Sequence, residues 1–442
     1  MRKKQFDLPP TESGRKRKPD GGIRWERLDN TAHIFPVIAG ERLSSVFRVS
    51  VTLEEPINPE KLQQALDLVL PKFDGFHVRL RKGIFWHYFE ENGKPAPRVQ
   101  EEKTFPCGYI HANRNKSYLF RVSYYRYRIN LEVFHVLTDG LGAMNFLKEL
   151  TYQYLRLVHE ELMADGDRLS GGTSLNREDS FLKNYRRRAG KTYHTQRALL
   201  IKGQRLNAGE LGVMHGYMPV KQLKEVCARF GVSINEYLVA VFTWSIYTEY
   251  CNGALRKEPI RVAVPVNLRP YFQSNTTKNF FVMISSEFLP DREGVTFEEV
   301  LEAVRESLRR QMNREHLEQT FSYNVSNQKT LLLRLVPLPL KGPAMRLVYN
   351  RAALANTSTI TNVGSIEVEE PYRPYIDRFH AFIGISKGQH LRGTVCSYNG
   401  TLIFTFSYDM VDRAIQRGFF RRLTQDGICV EIESNEVNDG SM

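Results

Sequence analysis

The residues Phe134-His135-Val136-Leu137-Thr138-Asp139-Gly140 place an imidazole and a carboxylate four positions apart, where two kinds of hydrophobic periodicity meet. His135 follows the alternating run RINLEVF, and Asp139-Gly140 turns into the helical stripe LGAMNFLKELTYQYLRL. A strand end fixes the backbone rigidly while the loop beyond it keeps a side chain accessible, so such junctions suit groups that exchange protons with a substrate. Imidazole titrates near neutrality and is fitted to that work. The same residues also fit a plainer arrangement, a hydrogen-bonded histidine closing a strand and an aspartate capping a helix. The short pattern leaves both open.

Other chemistries lack their residues. The remaining histidines show no H-x-x-H or H-E-x-x-H spacing, and there is no G-x-G-x-x-G, P-loop or G-x-S-x-G. Metal, dinucleotide and serine-hydrolase sites are therefore not expected. Cys107, Cys227, Cys251, Cys396 and Cys429 lie far apart, without a zinc or disulfide pattern, and a reducing cytoplasm is the expected location. The Tyr124, Tyr125 and Tyr127 run among Arg121, Arg126 and Arg128 reads as a strand with one core face and one solvated face, not as a base-stacking platform.

The elements around the motif follow from pattern and length. A chain of 442 residues, 42% hydrophobic and 25% charged, is an ordinary globular composition with room for two or three domains. No uncharged stretch reaches the roughly 18 residues of a membrane span; Gly393 to Tyr408 is the longest and reads as a hairpin. The net charge of +13 resides in two places, +5 in residues 1–24 and +8 in residues 180–205, where no acidic residue occurs. The start, Arg2-Lys3-Lys4 and then FDLPPTESGRKRKPDGG, lacks the apolar core of a signal peptide. The expected organisation is a basic tail at 1–23, an N-terminal lobe at 24–165, a basic connector at 166–212, a C-terminal lobe at 213–430 and a tail at 431–442. Within the lobes, Phe47, Val49, Val51 and Leu53 alternate as one face of a half-buried strand. Asn58-Pro59 starts a helix, Ser233/Glu236 and Thr296/Glu299 form capping boxes, Gly231 ends a helix, and Asn399-Gly400 joins two strands. Strands dominate the last third.

The sequence F-H-V-L-T-D-G, between a strand and a long helix, resembles the H-H-x-x-x-D-G signature of the chloramphenicol acetyltransferase-like superfamily, which includes condensation domains, alcohol acetyltransferases and wax ester synthases. R-W-E-R-L-D-N at 24–30, V-P-V-N-L-R-P at 264–270, N-F-F at 279–281 and T-N-V-G at 361–364 resemble further landmarks in the same order. Phe134 replaces the motif's first histidine, and the D-F-G-W-G element of plant relatives is absent, S-Y-D-M-V-D standing at 407–412. The resemblance implies an α+β fold of two tandem lobes, each a mixed sheet with packed helices, with an active-site tunnel at their interface.

It also implies roles. His135 would be the general base that takes a proton from an acceptor hydroxyl or amine as that atom attacks a thioester carbonyl. Asp139 would form a bidentate, largely buried pair with an arginine, best matched by Arg269, and hold the loop, while Gly140 would permit a tight turn and close approach of substrate. Ser358, Thr359, Thr361 and Asn362 are candidates for contacting substrate or stabilising an oxyanion. The implied activity is alcohol acetyltransferase-like transfer, with acyl-CoA (acetyl-CoA) as co-substrate and no bound cofactor or metal. An acyl carrier protein as donor, a catalytically silent binding module, and nucleic-acid binding by the basic segments are the rival readings; Arg186-Arg187-Arg188 could meet coenzyme A phosphates, a carrier or an anionic membrane, or be solvated connector.

Overall fold

In the computed structural model, residues 25–165, 168–186, 196–329 and 335–435 are described. Strands β1 (Trp25–Arg27), β2 (Val46–Leu53), β3 (Val78–Lys82), β4 (His87–Glu91), β5 (Gln100–Glu101), β6 (Phe120–Tyr125) and β7 (Arg128–Phe134) lie before the motif. After it come β8 (Gly212–Pro219), β9 (Ile260–Asn267), β10 (Phe281–Phe288) and β11 (Ser358–Ser365). The chain then adds β12 (Ile376–Ile383), β13 (Leu391–Tyr398), β14 (Thr401–Tyr408) and β15 (Glu431–Ser434).

These strands make an α+β architecture of mixed sheets with packed helices. One sheet has the order β12-β2-β7-β6-β5 and another β10-β9-β11-β13-β14-β8-β15, with a small β1-β4-β3 sheet beside them. In the second sheet β11 runs parallel to both β9 and β13, and the remaining pairs are antiparallel. Each large sheet has its own apolar core, one built on the 140–158 helix and Phe76, Phe120 and Phe146, the other on Phe242, Phe404, Phe406 and Phe419.

The local signals produce the elements they announce. Asn58 accepts hydrogen bonds from the main-chain N–H groups of Glu60 and Lys61, and both capping boxes close reciprocally. Gly231 ends its helix at φ 65°, and Asn399 and Gly400 take φ 44° and 78°, the left-handed pair that a two-residue hairpin needs.

Three expectations need correction. Strand β12 lies within the segment assigned to the C-terminal lobe, yet it pairs with β2 and forms the edge of the N-terminal sheet. The lobes therefore exchange an element, because a strand's own residues specify its faces but not which sheet edge supplies its ladder. Residues 431–434, expected as tail, are β15 and pair with β8. The polar face of β2 is buried as well: Arg48 pairs with Glu132 and Glu102, and the Ser50 hydroxyl donates to Asn130, so charge on that face is neutralised internally. The helices Arg314–Lys329 and Leu338–Ala353 fill a stretch for which the sequence pattern announces no element.

Among the described residues no single helix is long and apolar enough to cross a membrane. The tail 1–23 and Arg187, Arg188 and Lys191 of the connector lie outside the described residues. Arg186 is described and its guanidinium pairs with Glu318 at 2.7 Å.

Candidate active site

Strand β7 stops at Phe134 and the 140–158 helix begins at Gly140, so the motif spans a five-residue corner. Phe134 packs in the core. The next residue faces the other way. The His135 main-chain N–H donates to the Ser45 carbonyl at 2.9 Å, which ties the corner to the start of β2.

The imidazole is held between aromatic rings. Phe35 stacks on it at 4.7 Å between centroids and an interplanar angle of 14°, and Phe47 tilts against it at 4.9 Å. Its Nδ1 is sealed from solvent and bonded to no neighbour, while Nε2 is also unbonded but keeps accessible surface. The nitrogen that can meet a ligand is thus Nε2. Burial holds the His135 pKa below the ordinary imidazole value, with Arg392 acting in the same direction and the Asp139 carboxylate against it. At neutral pH the ring is unprotonated and able to accept a proton.

Asp139 has two separate tasks. Its Oδ1 accepts from the Gly142 N–H at 3.2 Å and caps the 140–158 helix. Its Oδ2 lies 2.8 Å from Arg269 Nη2 and accepts from the Phe280 N–H at 3.3 Å. The pair is single-pronged, because the rest of the guanidinium is engaged: Nε donates to the Thr276 carbonyl at 2.8 Å and Nη1 to Asn267 Oδ1 at 3.2 Å. Both side chains are buried, so each supplies the charge the other requires.

The glycine that packing demands is Gly142, not Gly140. A Cβ on Gly142 would fall 2.0 Å from Thr138 Oγ1 and 2.7 Å from the Thr277 carbonyl, whereas one on Gly140 would meet only Val363 at 3.7 Å. Thr138 also donates to the Thr277 carbonyl at 2.6 Å, a bond from the motif to the loop between β9 and β10.

The four substrate candidates on β11 divide. Ser358 donates its hydroxyl to the Leu391 carbonyl, and Thr359 donates to Gln389 Oε1 at 2.8 Å, so both protons are used within the fold. Asn362 is exposed, with Oδ1 accepting from the Gly364 N–H at 2.8 Å, and Thr361 is half-buried on the same strand. Position along β11 is the reason: the first two residues lie in the sheet interior and the later ones nearer its open end.

Sequence reasoning gave no role to Asn279 and Asp29. Asn279 Nδ2 donates to Asp29 Oδ2 at 2.9 Å and reaches the His135 carbonyl at 3.5 Å, while its buried Oδ1 has no partner and favours the charged form of the His135 ring. Asp29 also accepts from the Ala32 N–H at 2.8 Å, and burial pushes its pKa up to about 6. Both residues stood within the segments that carried the resemblance, but only the tertiary fold brings them to His135.

No family model and no curated protein matches this sequence. Solved structures do match in fold. The polyketide synthase associated protein 5 from Mycobacterium tuberculosis superposes with a TM-score of 0.58 at 14% identity, over 91% of this chain and 98% of that one. The first condensation domain of the calcium-dependent antibiotic synthetase, in complex with a substrate analogue, gives 0.57 at 13% identity over 92% and 99%. The epimerization domain from the third module of tyrocidine synthetase B gives 0.56 at 11% over 93% and 98%.

Proposed function

From the premise that this chain has the condensation-domain fold, we propose that it is an acyltransferase that moves an acyl group from a thioester to a hydroxyl or amine, with His135 as general base. The observation that carries this reading is the asymmetry of the imidazole, Nδ1 closed and Nε2 open, on a corner locked by the Asp139–Arg269 pair.

In the reaction, His135 Nε2 accepts the acceptor's proton as its oxygen or nitrogen bonds to the thioester carbon. The carbonyl electron pair moves to oxygen, giving a tetrahedral intermediate. When the carbonyl re-forms, the C–S bond breaks, and the imidazolium returns the proton to the departing thiolate. Atoms and charge balance without a covalent enzyme intermediate, because the acyl group arrives already activated.

The donor in this reading is acyl-CoA, acetyl or short-chain, entering as a co-substrate, and the acceptor is an alcohol or amine. Thiol release from a panel of acyl-CoA donors with alcohol and amine acceptors tests it. Loss of release in His135→Ala, with the fold intact, supports the mechanism; wild-type turnover in that variant ends it.

A carrier-borne thioester is the second reading, favoured by the likeness to the first condensation domain of an antibiotic synthetase at 99% coverage of that domain. Release only from a loaded carrier, and none from acyl-CoA, would select it.

A further inference from the structure

Arg392 lies on β13 and its charge acts on the His135 ring. Its Nη1 is fixed by two acceptors, the Gly384 carbonyl at 2.9 Å and Ser386 Oγ at 2.8 Å. The other edge is free. Nε is closed to water and unbonded, and Nη2, also unbonded, keeps accessible surface. Of the buried arginines, Arg48, Arg261 and Arg269 each face a carboxylate and Arg156 donates to the Tyr372 hydroxyl and the Arg168 carbonyl, while among the described residues no carboxylate pairs with Arg392. Burial draws the Arg392 pKa down to about 10, so the guanidinium is still charged at neutral pH.

An enclosed cation without a counter-charge is unfavourable unless a ligand completes it. The location is informative too. Gly384, which receives Arg392 Nη1, donates its N–H to the Val46 carbonyl at 3.1 Å, one residue from the Ser45 carbonyl that receives the His135 N–H. Ser386, which accepts from Arg392 Nη1, also lines a cleft of about 430 Å³ with Arg42, Lys202, Arg205 and Lys387, against the single carboxylate of Asp409. A cleft so lined concentrates anions at its mouth.

We propose that Arg392 binds a carboxylate on one of the two substrates, so that the reaction at His135 uses an acidic acyl group or an acidic acceptor. Nη2, unbonded and still accessible, is the nitrogen that a carboxylate oxygen can reach. The assignment of that carboxylate to a reacting substrate rests on the acyl-transfer reading; the binding itself does not.

The test is isothermal titration of the full chain carrying His135→Ala, which binds without turning over. Two matched probe pairs separate the sources: succinyl-CoA against butyryl-CoA for the acyl side, and 3-hydroxybutyrate against 2-butanol for the acceptor side. At least one carboxylate probe should bind about tenfold or more tightly than its neutral partner, and Arg392→Gln should remove that preference while Arg392→Lys keeps part of it. The pair that responds names the substrate. No charge preference in either pair, or one that survives in a folded Arg392→Gln, overturns the proposal. If Arg392→Gln does not fold, Arg392→Lys supplies the comparison, and an undiminished preference in that variant overturns the proposal. Failure of the acyl-transfer reading would appear separately, as no thiol release from the protein with native His135.

Discussion

Arg269 Nη2 stands 2.8 Å from Asp139 Oδ2, while the other oxygen of Asp139 caps the helix that begins at Gly140. One carboxylate thus couples the start of a helix in the first lobe to the loop after β9 in the second, through a bond that both lobes must be in place to make.

Removing either partner strands a buried charge. Asp139→Ala and Arg269→Ala should each cost about 3 to 5 kcal/mol in urea denaturation, the double variant costing less than the sum of the two. Additive losses would show that the pair is not coupled.

His135→Ala should leave stability near wild type and lower thiol release by about 10²- to 10⁴-fold. In the wild type, kcat/KM should be level above neutrality and fall on acidification with a midpoint below 6.5, because burial favours the neutral ring. A midpoint above 6.5 would contradict the enclosure described for the ring.

The two glycines of the corner should behave differently. Gly142→Ala drives a methyl group against the Thr277 carbonyl and should cost about 1 to 3 kcal/mol, whereas Gly140→Ala should stay within about 0.5 kcal/mol. Thermal denaturation of the two single variants checks the order.

Burial holds His33 and His215 down to about 3, and His380 well below its ordinary value. Each therefore stabilises the fold above pH 6.5 and withdraws that stability as pH falls, by about 1.4 kcal/mol per pH unit. Asp29 acts oppositely: its raised pKa adds stability as pH falls from about 6 toward 4. Burial also holds down His87, His135 and His316 and raises Glu149 and Asp179, so six histidines stand against three carboxylates and the urea midpoint should drop between pH 6.5 and 5. A flat or rising midpoint would sink this account.

Much of the fold was legible because it is local. Asn58, Ser233/Glu236, Thr296/Glu299, Gly231 and Asn399-Gly400 act through bonds to residues within a few positions, and each appears where its spacing places it. The helix Leu338–Ala353 was hidden by Pro339, Gly342 and Pro343, residues that normally oppose a helix and that here occupy its first turns. Pro337 precedes it, as a proline at a helix entrance can.

The candidate site divides along the same line. Sequence by itself determined that a histidine would close a strand and an aspartate would open a helix, since both follow from hydrophobic period and capping chemistry within a dozen residues. The tertiary structure decided which histidine nitrogen stays open, that Arg269 meets Asp139 with one nitrogen, that Asn279 links Asp29 to the His135 main chain, and that Arg392 pairs with no carboxylate among the described residues. These depend on segments far apart in the chain arriving at one place. A polar residue on a strand carries no local mark of the charge it will face, because burial and partner are fixed only when the sheets pack.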